Sequence, residues 1–169
     1  PYDVELDTTS HRLFIMDYVA SRILEYDLDS SNAIVDRTPD HVIGQLNFTS
    51  IYSGVSQRNL SYSTGLHFDP GSNRLFVGDQ PNNRVMIFDV ASITDGENAV
   101  NVLGQPNFTS NTAATTGNGM RNPQGVYFDS LTSRLFVSDT YNHRILVFDL
   151  ATVTDGENAI NVLGQPDFT

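Results

Sequence analysis

The sequence predicts an all-β chain built of three repeated four-stranded antiparallel sheets. Three observations lead there. The phrase Val-x-Gly-Gln-x-(Asn/Asp)-Phe-Thr recurs at Val42, Val102 and Val162, spacing Gly44, Gly104 and Gly164 by 60 residues twice. A fixed period of that length signals stacked supersecondary units that bury their faces on one another. Short β-branched and aromatic runs alternate with polar, turn-prone stretches, and no segment sustains a helical period. Asp and Arg also stand at matching places in every unit.

The elements follow in order within each unit. In the third, strands are expected over 125–129, 134–139, 144–149 and 159–163, separated by polar loops. Asp129 and Arg134 flank the first loop, and Asp139 and Arg144 the second. Opposite charges facing each other across an antiparallel pair stabilise it by roughly 0.2–1 kcal/mol. Extending the second pairing down the ladder sets Arg134 opposite Asp149. Asp7, Arg12, Asp17, Arg22 and Asp27 repeat the pattern in the first unit; Asp69, Arg74, Asp79, Arg84 and Asp89 repeat it in the second. These charges are read as a register device. The repeats cover about 1–50, 62–110 and 122–169 of a single domain, 1–169.

Residues alternate between two faces. Leu135, Val137, Leu146 and Phe148 point one way, and Phe136, Ile145 and Val147 the other. A sheet apolar on both faces must be covered on both. Sheets stacked face to face around an axis, the blades of a β-propeller, satisfy that demand.

The stretch Asp139-Thr140-Tyr141-Asn142-His143-Arg144-Ile145, after a Pro123-x-Gly125-Val126 entry, resembles the NHL repeat, named for an Asn-His-Leu triplet. Here the triplet reads Asn142-His143-Arg144. The second unit is similar through Asp79 to Val85, with Asn83 in the histidine place; the first keeps only Asp17 and Arg22. The resemblance implies a propeller of six or sometimes five blades. It also implies a function drawn from protein-binding scaffolds, RNA-binding modules or a metal-bearing amidating lyase. Three blades do not close such a ring. Closure is expected either from a second copy, giving a six-bladed homodimer about a twofold axis, or from the remaining blades of a longer chain.

The composition narrows the partners. Lysine is absent, and 20 acids against nine arginines give a net charge of −11, which repels phosphate backbones and anionic membranes. Nucleic acid is therefore an unexpected ligand, requiring an arginine patch at Arg58 and Arg121, and no run is long enough to span a membrane. Cysteine is absent too. The compartment stays open, with a secreted or extracellular setting favoured. Asn47, Asn59 and Asn107 match the glycosylation acceptor pattern, and the first and third read as turn motifs of the repeat.

Two places are candidates for function. Long connections over 49–64 and 109–122 emerge on the same face as the loops between second and third strands. That face gathers Tyr18, Tyr52, Arg58, Tyr62, Asn82, Asn83, Arg121, Gln124, Tyr141, Asn142 and His143. These are residue types enriched in binding surfaces. They point to a non-enzymatic scaffold that presents its loop face to a protein, peptide or glycan and needs no cofactor. The alternative is a hydrolase or lyase using a divalent metal near the axis. There Glu5, His67 and Tyr127 share one repeat position on the innermost strands. The Asp-Gly-Glu-Asn stretches at Asp95 and Asp155 are read as ordinary turns, and no nucleophile elbow, phosphate loop or His-Glu-x-x-His motif occurs.

Overall fold

The computed structural model describes residues 1–169. The first sheet runs β1 (Val4–Asp7), β2 (Arg12–Asp17), β3 (Arg22–Asp27), β4 (His41–Ile43). The second runs β5 (Gly65–Asp69), β6 (Arg74–Asp79), β7 (Arg84–Asp89), β8 (Asn101–Leu103). The third runs β9 (Pro123–Asp129), β10 (Arg134–Asp139), β11 (Arg144–Asp149), β12 (Asn161–Leu163). Each is an antiparallel meander in chain order. The fourth strands are shorter than the sequence suggests; in the second and third units the turn before the strand leaves its sheet to reach the neighbouring one. β9 starts earlier, at Pro123, which an innermost edge strand tolerates because nothing there needs its missing N–H.

The charge-based register holds throughout. Arg134 faces Asp129 and Asp149, Asp139 faces Arg144, and the first two units repeat both pairings. The energetic role of the two ends differs, however. On the loop face, Arg84 and Asp79 are 0% exposed. Arg84 Nε donates to Asp79 Oδ2 at 2.7 Å, Nη1 to the Phe108 carbonyl at 2.6 Å, and Nη2 to the Ser56 and Asn59 carbonyls at 3.1 and 2.8 Å. Asp79 in turn accepts from the Ser61 amide at 2.8 Å and from Asn82 Nδ2 at 2.9 Å. Arg144 and Asp139 do the same in the third unit, reaching the carbonyls of Thr115, Thr116, Gly119 and Phe168. These pairs are the cross-strand partners the sequence predicts, and in the second and third units they are more than that. They are buried pegs on which the long connections hang.

At the opposite end the pairing is irregular. Arg12 bonds Asp7 and Arg134 bonds Asp149, both at 2.7 Å, whereas Arg74 forms no ion pair. Asp69 and Asp129 cap their own turns instead, through Ser72 and Thr132.

Two apolar layers fill the spaces between sheets. Phe14, Met16, Ile23 and Ile43 of the first pack on Leu66, Phe68, Leu75, Val77, Met86 and Phe88 of the second. Phe76, Val85, Ile87 and Leu103 of the second pack on Leu135, Val137, Leu146 and Phe148 of the third. The innermost strands approach so closely that a Cβ at Gly65 or Gly78 would collide with the Gln124 carbonyl.

The Asp-Gly turns do more than reverse the chain. The Val42 amide of β4 donates to Asp95 Oδ1 at 3.1 Å, while the Gly96 amide donates back to the Val42 carbonyl at 3.3 Å. Between the second and third sheets, the Val102 amide donates to Asp155 Oδ1 at 3.0 Å and Gly156 returns to the Val102 carbonyl at 3.0 Å. Each turn therefore latches its sheet to the outer strand of the one before. Gly96 and Gly156 sit at φ +76° and +68°, tight against Leu46 and Pro106 respectively.

Arg84→Met leaves Asp79 as an uncompensated buried charge and should cost about 3–5 kcal/mol in urea unfolding. Arg134→Met, at a half-exposed pair, should cost less than about 1 kcal/mol.

Candidate functional site

The Gly-Gln pair of the repeated phrase shapes the loop face. Gly44 and Gly104 adopt φ +89° and +85°, turning Gln45 and Gln105 inward, where both are buried. Gln45 Nε2 donates to the carbonyls of Ala20, Ser21 and Tyr52, at 3.2, 3.0 and 2.8 Å. Gln105 donates to Asn83 and Thr112, each at 2.9 Å. Each long connection is thereby held at its start by a glutamine and near its end by the Asp–Arg peg. Asn47 accepts from Thr49 and Ser50, and Asn107 accepts from Thr109 and Ser110, the turn role the sequence suggests.

On this floor stands a row of tyrosines. Tyr2 stacks on Tyr18 with centroids 5.3 Å apart, and Tyr18 meets Tyr62 at 5.4 Å. Tyr2 and Tyr62 are exposed, as are neighbouring Val19, Ile51 and Tyr52. Tyr62 has φ +42° and its amide donates to Ser21 Oγ at 3.1 Å. The equivalent place in the next unit is Asn122, at φ +51°, whose amide donates to Asn83 Oδ1. Asparagine suits that region, whereas a tyrosine there costs about 1–2 kcal/mol.

The remaining predicted residues divide into two groups. Arg121 lies with its guanidinium 6.0 Å from the Tyr141 ring, and both are exposed together with His143. Asn82 is buried, its Nδ2 bonded to Asp79 and the Gly54 carbonyl, and Arg58 is turned onto the Gly96 carbonyl at 2.5 Å. Those two side chains are committed to the fold. Gln124 is half-buried beside Gly65 and Gly78.

At the axis the structure does bring Glu5 and His67 together, with Nδ1 3.5 Å from Glu5 Oε1. The other ring nitrogen lies 3.2 Å from the Phe128 carbonyl, and Tyr127 packs on the imidazole at 4.8 Å. Two side chains, not three, could offer donors to a cation here.

Sequence reasoning missed Tyr2 and Glu25. Glu25 shares a face with Phe14 and His41, at the position Ile87 and Val147 occupy in the other units. It is 1% exposed and neither carboxylate oxygen has a hydrogen-bond partner. Burial, reinforced by the nearby Asp27, pushes its pKa up to about 7. Comparing the three units position by position carries the signal, since only one replaces an aliphatic residue with an acid.

Three stacked four-stranded antiparallel blades define the chain as part of a β-propeller. No family model matches the chain. NHL repeat-containing protein 2 of Bos taurus is 30% identical over 106 residues, which is 60% of this chain and 13% of that protein. A candidate phosphatase from Bacteroides thetaiotaomicron superposes with a TM-score of 0.62 at 13% identity, over 85% of this chain and 33% of the other. The crystal structure of the nidogen/laminin complex gives a TM-score of 0.57 at 16% identity, over 96% of this chain and 46% of that one. The chain thus spans about an eighth of the curated relative and less than half of each solved neighbour.

Glu25 binds its proton more tightly folded than unfolded. Its contribution to stability is full below about pH 4.5 and is lost as pH rises through about 7. Glu25→Ile should therefore melt higher than the native chain at pH 7.5, with the gap closing as pH falls to 4.5.

Proposed function

We propose that this chain is an NHL-type binding scaffold, not an enzyme, whose loop face receives a protein, peptide or glycan. The Tyr2–Tyr18–Tyr62 row carries the reading, because it places adjacent aromatic rings on a floor rigidified by buried pegs. Aromatic side chains lose little conformational entropy on binding and supply large amphipathic contact area. Tyr62 adds a further argument. A backbone strain the next unit avoids with Asn122 is retained where the side chain faces solvent. Arg121, Tyr141 and His143 extend the surface over the third blade. The likeness to NHL repeat-containing protein 2 supports the family, and the chain's share of its fold neighbours fits three blades of a larger ring.

The test separates binding from stability. Tyr62→Asn should hold or raise the melting temperature while weakening the best ligand from a peptide and glycan array about tenfold. Equal binding by the variant would sink the tyrosine row as the site.

The Glu5–His67 juxtaposition favours one second reading, a divalent cation on the axis. Zinc titrated into the protein should then release heat that His67→Ala abolishes; no heat with the native chain ends that reading.

A further inference from the structure

The seam between the first and second blades differs from the next one by two residues that stand side by side. Glu25 faces His41 across β3 and β4, where Ile87 faces Asn101 across β7 and β8. In the second seam Asn101 Nδ2 donates to Asp155 Oδ1 at 3.1 Å, so the latching carboxylate is tied by an amide that carries no charge at any pH. In the first, His41 Nδ1 lies 3.4 Å from Asp95 Oδ1, and the strength of that contact follows the charge on the imidazole. Two titrating groups thus replace a neutral pair inside the layer that joins the blades.

Glu25 is the deciding group. It is 1% exposed, and neither of its oxygens has a hydrogen-bond partner. The Arg12 guanidinium nearby is committed elsewhere, giving Nε and Nη2 to Asp7 and Nη1 to the Val90 carbonyl. On its own blade Asp27 and Asp40 oppose ionisation of Glu25, while His41 and Arg12 favour it. Glu5 lies in the same row beyond Phe14 and meets His67. From the second blade come Asp95 and Glu97, both within reach of His41, with Asp89 repelling Glu97. Protonated, Glu25 packs in the layer as a neutral side chain. Ionised, it finds a partner only when water enters between the blades. Acid therefore closes the seam twice over, since Glu25 loses its charge and His41 gains one opposite Asp95.

The same seam positions the tyrosine row. The turn that carries Asp95 is tied to the long connection. Arg58 Nε donates to the Gly96 carbonyl, Gln57 Nε2 to the Ala99 carbonyl, and the Ala99 amide to the Gln57 carbonyl. Just beyond, the connection is fixed to both blades at once. The Ser61 amide donates to Asp79 of the second blade, and the Tyr62 amide to Ser21 Oγ of the first. A first blade that swings away from the second must give up one of those two bonds.

We propose that this seam is a pH-sensitive latch: with Glu25 protonated the two blades close and Tyr62 is held against Ser21, and with Glu25 ionised the seam opens and the tyrosine row loosens. The latch stands on the seam's own residues; its bearing on ligand binding rests on the loop-face reading above.

Amide hydrogen exchange tests it, with the second seam as a control inside the same molecule. The Val42 amide, held by Asp95, and the Val102 amide, held by Asp155, occupy equivalent places. Between about pH 5.5 and about pH 8, protection of Val42 relative to Val102 should fall at least about tenfold after correction for intrinsic rates, with the Tyr62 amide following it. Glu25→Ile, which matches the second blade, should hold the ratio constant over that range, and His41→Asn should reduce its change in part. Circular dichroism that matches the native chain keeps folding out of the comparison. A ratio that stays constant in the native chain overturns the latch, as does a Glu25→Ile chain that keeps the native response. A Tyr62 amide indifferent to pH while Val42 responds overturns control of the tyrosine row. A latch that responds while Tyr62→Asn binds the array ligand as tightly as the native chain sinks the loop-face reading alone.

Discussion

A guanidinium that no water reaches must place its five N–H groups on protein oxygens. Arg84 makes four such bonds, to one carboxylate and three carbonyls drawn from two different inter-blade connections. Burying a charge is tolerable only with such pairing, so the pair imposes a conformation on everything that supplies an acceptor. Segments that would otherwise be long surface loops become a floor. The tyrosine row stands on that floor, and so the placing of Tyr62 traces back to the buried Asp79–Arg84 pair rather than to local turn preferences.

Much of this was legible in the chain. Charges flanking polar loops located the second and third strands and their pairing to the residue, because register in an antiparallel ladder is set by what lies opposite. The two-faced apolar pattern called for stacking on both sides. What the pattern did not reveal was which pairs are buried: the loop-face ones in the second and third units, the opposite one, Asp7–Arg12, in the first. That depends on connections arriving from neighbouring blades, a contact no spacing within one unit encodes. Tyr2 was invisible for a related reason. It holds the place of Thr64 and Gln124 in the other units, and only the packing beside Tyr18 gives it a role.

The repeat itself separates scaffold from specialisation. Positions that agree in all three units, such as the Gly-Gln pair and the loop-face Asp and Arg, serve the backbone. Positions that break agreement carry the individuality of the molecule: Tyr62 against Asn122, Glu25 against Ile87 and Val147. Glu25 is a liability in a layer that aliphatic residues fill elsewhere, and nothing in the structure offsets it with a hydrogen bond. Its neighbours Arg12 and His41 moderate the cost only through their charge.

Each long connection is clamped at both feet, by Gln45 or Gln105 where it leaves the repeated phrase and by the Asp–Arg peg where it rejoins the sheet. Between those feet, the tips around Ile51–Tyr52 and Asn111–Thr112 touch the framework mainly through main-chain carbonyls. A carbonyl is supplied by any amino acid. The side chains of these tips are therefore free to drift or be exchanged while the blades stay in place, and the loop face behaves as a set of interchangeable cassettes on a chassis.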